Sequence, residues 1–176
     1  MTSRMRYTVH GPFLLPRNID GLFTREATEK AAFWDEVETS EYGLSDGVGA
    51  YLISVRNVVW YVGLAEKQSF RKECFSAHKV TKIDSAIRRG SGNAFLHLLA
   101  KRTPTDRIAS PSCNGYRDVQ FLENSLIGIA LERNPELLNK SDTAILREIE
   151  VPGLFNSPPH SGKLKSVRSL KQILGV

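Results

Sequence analysis

Two apolar runs held apart by a two-residue polar turn constrain this chain more than any other feature. "GAYLISV" and "VVWYVGL" are rich in β-branched and aromatic residues, and only Arg56 and Asn57 stand between them. That pattern reads as a β-hairpin over residues 47–65. Side chains alternate faces along a strand, so Tyr51, Ile53 and Val55 share one face, and Val59, Tyr61 and Gly63 share one on the partner. Register decides whether the two tyrosines meet, and the sequence leaves that open.

On either side of the hairpin the pattern turns helical. Over residues 68–89, Phe70, Cys74 and Ala77 recur at helical spacing and are expected to face the core. Arg71, Phe75, His78 and Lys82 form the adjacent stripe, so Arg71 and His78 are expected to look the same way. "RRGSGN" is a break, and a short helix is expected through "AFLHLLAKR". "TPTDRIASPSCNGYRD" reads as a loop with a short third strand near residues 107–110. "VQFLENSLIGIALERNPELLN" reads as a helix broken near Pro135. The first forty-five residues read as a proline- and glycine-punctuated loop followed by a helix, with Ala27, Ala31, Trp34 and Val37 on its apolar face. The C-terminal tail carries Leu164, Val167, Leu170 and Leu174 at helical spacing, surrounded by Lys163, Lys165, Arg168 and Lys171.

A length of 176 residues fits one domain, or one domain with an extension. The most apolar run is cut by Arg56, which argues against a transmembrane helix, and nothing resembles a signal peptide. Cys74 and Cys113 form no CxxC pattern, which argues against a structural zinc site or a disulfide scaffold. The expectation is a reduced, intracellular, cytoplasmic protein with no membrane partner. The net charge of +5 is uneven: the first 46 residues are net acidic, the remainder strongly basic. Lys67, Lys72, Lys79, Lys82, Arg88 and Arg89 lie in the densest basic stretch, together with Arg71, Lys101 and Arg102. Such clustering suits a polyanion whose phosphates it can neutralise, and equally a solvated helical face.

Glu123 lies on or beside the apolar face of its helix, three and four residues before Leu126 and Ile127. A carboxylate withdrawn from water is costly unless paired or bound to a metal, so it is a candidate ligand for Mg²⁺ or Mn²⁺. Taken alone, an edge glutamate paired to a lysine is the simpler reading, just as a strand tyrosine alone is a packing residue. His78 alone reads as structural and Asn139 as a cap or turn residue. Order and spacing together carry the signal.

Over roughly residues 49–139, the sequence resembles the GIY-YIG nuclease superfamily. "GAY" at Gly49, Ala50 and Tyr51 corresponds to the GIY element, and "YVG" at Tyr61, Val62 and Gly63 to the YIG element. Arg71 falls eight residues after Gly63, where the family carries its helical arginine. "LENSLI" around Glu123 looks like the segment of the metal-binding glutamate, and "NPELLN", ending in Asn139, like the segment that follows it. Two positions depart from the pattern. Many members carry a histidine one turn after the arginine, where Phe75 stands here, which makes His78 a candidate substitute. The spacing from Glu123 to Asn139 is about one helical turn longer than in compact members, which keeps Asn134 as a second candidate.

The resemblance implies an α/β fold, a small GIY-YIG-like domain with a short, about three-stranded antiparallel sheet flanked by helices. This domain would span residues 47–140, between an N-terminal loop-and-helix extension (1–46) and a C-terminal extension with a basic tail (141–176). It implies an endonuclease hydrolysing phosphodiester bonds with one divalent ion, Mg²⁺ or Mn²⁺, on Glu123. Double-stranded DNA is the favoured partner, and a homodimer is possible. Tyr51 would act as general base or orient the attacking water, with Tyr61 supporting it. Arg71 would neutralise the phosphate and Asn139 orient the site. A phenol titrates near pH ~10, so Tyr51 would need help to act as a base. The alternatives are a module of the same fold that binds nucleic acid without cutting it, and a structure-specific or RNA-directed nuclease.

Overall fold

The hairpin forms as its pattern requires. In the computed structural model, which describes residues 5–139 and 165–174, strands β2 (Gly49–Val55) and β3 (Val58–Ala65) pair antiparallel. Arg56 and Asn57 both take positive φ, 51° and 61°, which matches the right-handed twist of the strands they join. The sheet is mixed with helices and wholly antiparallel, but it has four strands, in the order β1-β4-β2-β3.

Two strands lie where other structure was expected. Strand β1 (Arg6–Leu14) belongs to the N-terminal segment that reads as loop, and it pairs with β4. It is an outer strand with most residues at least partly exposed, and its register shifts between His10 and Phe13, so no clean alternation marks it. "AFLHLLAKR" is not a helix but strand β4 (Ala94–Arg102), running between β1 and β2. Ala94, Leu96, Leu98 and Ala100 are buried on one face, while Phe95, His97 and Leu99 are half-buried on the other. A central strand covered on both sides becomes a short continuous apolar run, which periodicity does not separate from a buried helix. The strand expected near residues 107–110 is reduced to a single bridge between Arg102 and Ile108.

Helix α1 (Ala27–Ser40) buries Phe33, Trp34 and Val37, while Ala27 and Ala31 stay exposed. The helix expected over residues 68–89 is two helices, α2 (Phe70–Glu73) and α3 (Ala77–Gly90), separated by a turn at Cys74–Phe75–Ser76. Phe70 and Cys74 are buried as the spacing suggests, but Ala77 is exposed because the stripe does not continue through the turn. Helix α4 (Arg117–Arg133) ends at Asn134, before Pro135, as expected.

Two apolar cores flank the sheet. The larger joins Tyr51, Ile53, Tyr61, Leu96 and Leu98 to α1, α2 and α3. The smaller packs Val62 of β3 against Ile127 and Ala130 of α4, with Leu137 beyond the helix. Residues 1–139 form one compact unit and residues 140–176 a second. In the second, α5 (Lys165–Leu174) is amphipathic, with Val167 half-buried and Leu170 and Leu174 exposed. Leu164 and Lys163 of the expected tail stripe lie outside the described residues. No helix among the described residues is long and apolar enough to cross a membrane.

Candidate active site

Register brings the tyrosines together. Tyr51 lies opposite Gly63 and Ile53 opposite Tyr61, so the tyrosines are diagonal neighbours on one face of the hairpin. Their ring centroids are 6.2 Å apart. The glycine of each element has a steric reason. A Cβ at Gly63 would lie 2.5 Å from the Tyr51 hydroxyl oxygen, so the ring can cross β3 only where no side chain stands. A Cβ at Gly49 would run into the backbone carbonyl of Leu99 on the neighbouring strand. Tyr51 is completely buried, and its hydroxyl has no hydrogen-bond partner among the described residues. Burial pushes its pKa well above the ordinary phenol value, and Cys74, Tyr61, Glu73 and Glu123 add to the shift.

Tyr61 has a different environment. Lys79, on the first turn of α3, donates a 2.6 Å hydrogen bond to its hydroxyl oxygen. The same ammonium lies 5.1 Å from the ring centroid and forms a 3.4 Å ion pair with Glu73. Burial raises the Tyr61 pKa while the Lys79 hydrogen bond and charge oppose the rise, and the net direction is up. Burial works against the charge on Lys79, but Tyr61 and Glu73 outweigh it and hold the lysine firmly protonated. The turn between α2 and α3 makes this possible, since it brings Glu73 to Lys79 from a separate helix while Lys79 reaches the hydroxyl.

Glu123 is half-buried on α4, whose apolar side covers the other face of the hairpin. Its charge still reaches both tyrosine hydroxyls and raises each pKa. Among the described residues, no group of three or more His, Cys, Asp or Glu is placed to hold a metal. The donors present nevertheless fit Mg²⁺, which is commonly held by one or two carboxylates and completes its shell with water and substrate phosphate.

Arg71 and His78 do not come together as one stripe. The Arg71 guanidinium donates to Ser45 Oγ at 3.1 Å, and Ser45 Oγ in turn donates to Glu38 Oε2 at 2.7 Å. Burial opposes ionisation of Glu38, but hydrogen bonds from Ser45 and Gly43, with a smaller contribution from the Arg71 charge, hold its carboxyl below its ordinary pKa. His78 lies beyond the turn, exposed on α3. Phe75 packs into an aromatic cluster, with ring centroids 4.6 Å from Phe23, 5.2 Å from Phe33 and 5.1 Å from Trp34. Its position is a core position, which accounts for a phenylalanine there.

The two asparagines both fasten the outer edge of β3. Asn139 Oδ1 accepts from Val62 N at 3.0 Å, and its Nδ2 donates to Val62 O at 2.7 Å. Asn134 Nδ2 donates to Val59 O at 2.8 Å, and Leu138 N donates to Trp60 O at 2.9 Å. The segment after α4 thus acts in place of a further strand, and Asn139 fixes the residue next to Tyr61.

The expected nucleic-acid-binding residues divide. Lys67, Lys72, Arg88 and Arg89 are exposed. Lys67 and Lys72 line one cavity with Asp46, Gln68, Ser69 and Pro111. Lys79 is committed to Tyr61, and Lys82 Nζ donates to Leu138 O at 2.9 Å. Comparison of the chain with protein-family models, curated proteins and solved structures finds no match. The residues that sequence reasoning missed here are Glu73, and Lys79 as the partner of a tyrosine. No periodic signal marks either one, because the turn at residues 74–76 that separates them lies inside a stretch that reads as one helix.

Proposed function

We propose that this chain is a divalent-metal-dependent endonuclease that hydrolyses phosphodiester bonds, with DNA as the favoured substrate. The observation that carries the reading is the convergence of Tyr51 and Tyr61 on one face of the hairpin, over a glycine required by the ring, within electrostatic reach of Glu123. Glu123 would hold Mg²⁺ or Mn²⁺, which when bound supplies polarisation of the phosphate and stabilisation of the leaving oxygen. Lys79 adds a fixed positive charge beside the Tyr61 hydroxyl. Asn139 holds β3, and with it Tyr61, in register. The exposed Lys67, Lys72, Arg88 and Arg89 would contact the backbone, which gives affinity without reading sequence.

The second reading is a module that holds nucleic acid without cutting it. Two observations favour it: the Tyr51 hydroxyl is sealed from solvent, and Arg71 is engaged with Ser45. Cleavage of plasmid and branched DNA with Mg²⁺ or Mn²⁺, beside Glu123→Ala, separates the two. The nuclease reading expects metal-dependent products from the wild type and a loss of at least ~10³-fold in the variant, since the metal site carries most of the charge stabilisation. DNA binding with no product under either metal would leave the binding module as the function. RNA offered in parallel tests the choice of nucleic acid.

A further inference from the structure

We propose that Lys79 is a positioning residue that presents the Tyr61 hydroxyl as a hydrogen-bond donor to a substrate phosphate oxygen. The inference rests on the phosphodiester reading above and makes Tyr61, rather than Tyr51, the tyrosine that touches substrate.

The argument begins with donor inventory. An ammonium has three donors and no acceptor, so in the 2.6 Å contact the phenol oxygen of Tyr61 must accept. Its own hydrogen is therefore directed elsewhere, and the hydrogen bonds found among the described residues show this hydroxyl only as an acceptor. A phenol whose oxygen receives a charge-assisted bond becomes a stronger donor through its O–H. Lys79 is itself fixed from the other side by Glu73 at 3.4 Å, with side chains 16% and 25% exposed, so its direction is set by two partners. Tyr51 offers no equivalent: among the described residues no cation bonds its hydroxyl, and it is 0% exposed, whereas Tyr61, though also buried, keeps 6% of its surface exposed.

The same geometry explains the departure at Phe75. That side chain packs its ring against Phe23, Phe33 and Trp34, so position 75 is given over to aromatic packing. The turn after α2 redirects the chain, and the next helix supplies Lys79 one turn later. A permanently charged ammonium beside the Tyr61 hydroxyl adds attraction for a phosphate oxygen, which a neutral ring nitrogen would lack.

The test uses the full chain, with tyrosine labelled by carbon-13 at the ζ carbon and read by NMR, alongside cleavage kinetics. In the metal-free protein, Lys79→Met is expected to move the Tyr61 ζ-carbon signal and Lys79→Arg to return it toward the wild-type position. Titration with a short DNA duplex is expected to shift that signal in the wild type and not in Lys79→Met. In kinetics, Tyr61→Phe and Lys79→Met should each lower kcat about a hundredfold. The double variant should be no worse than either single one, because one residue acts through the other. Additive losses, or a Tyr61 signal indifferent to saturating DNA, would overturn the proposal. A signal that responds to DNA in a protein that cuts nothing would sink the nuclease reading and leave this placement of Tyr61 standing.

Discussion

Two clusters in this molecule are built from a tyrosine, a lysine and a carboxylate, and they are wired in opposite senses. Tyr7 of β1 stands across the ladder from Lys101 of β4. Its hydroxyl donates to Asp118 Oδ2 at 2.7 Å, and Lys101 pairs with that same oxygen. Burial and the neighbouring carboxylate push the Tyr7 pKa up, so its proton stays in place. At Tyr61 the lysine donates to the phenol oxygen itself, and the carboxylate, Glu73, lies behind the lysine. In the first cluster the phenol hydrogen is used within the protein, clasping β1, β4 and α4 together. In the second, the phenol oxygen accepts, and no acceptor for the phenol hydrogen is found among the described residues. Residue types do not separate the two arrangements; the direction of donation does.

The largest effect that would test this contrast is on stability. Asp118→Ala removes the acceptor of both Tyr7 and Lys101, whose side chain is 14% exposed beside a carboxylate 13% exposed. Leaving that ammonium unpaired should cost about 3 kcal/mol, measured as a shift of the denaturant midpoint. Lys79→Met, at the more open pair with Glu73, should cost only about 1 kcal/mol. Equal losses would erase the distinction between clasp and site. The acid side sharpens it. Burial opposes ionisation of Asp118, but Lys101 and Tyr7 outweigh it and hold its pKa below the usual carboxylate range. A depressed folded pKa stabilises at pH values above the unfolded value, about 4, and that stability is lost as pH falls through the folded value. The gap between wild type and Asp118→Ala should therefore be full near neutrality and narrow below about pH 4.

The hairpin, its turn and the two tyrosines were legible because two runs of β-branched and aromatic residues flank a two-residue polar turn. Strand β4 was not, since Phe95, His97 and Leu99 on its second face are also covered and its alternation fades into a run. Strand β1 failed for the opposite reason: Val9 is 71% exposed and Leu14 49% exposed, so little apolar pattern distinguishes it. At the site, sequence order pointed to Tyr51, Tyr61 and Glu123. It paired Arg71 with His78 on a helix that the turn at residues 74–76 divides. Lys79 read as one more basic residue because its partner, Tyr61, is eighteen positions away and only the fold joins them.

A smaller effect probes the tyrosine face directly. Gly63→Ala places a methyl group against the Tyr51 ring, which is fully buried and has no room to withdraw. The expected cost is about 2 kcal/mol, as for other overpacked cores. Tyr51→Leu in the same chain should recover part of it, giving a coupling of about 1 kcal/mol in a double-mutant cycle. Strict additivity would mean that the ring does not rest on Gly63, and the glycine of the "YVG" element would need another explanation.

The smallest expected effect has the opposite sign. A buried hydroxyl with no partner among the described residues has lost its hydration without a replacement, so Tyr51→Phe should raise stability, by about 1 kcal/mol. Tyr61→Phe removes the acceptor of Lys79 and should lower stability by a similar amount. Opposite signs at two tyrosines 6.2 Å apart on one face would separate an unsatisfied hydroxyl from one held by a cation. A loss at both would mean that the Tyr51 hydroxyl has an acceptor in solution, such as an ordered water reaching it past Gly63. Tyr51 would then regain the path to solvent that direct participation in hydrolysis requires.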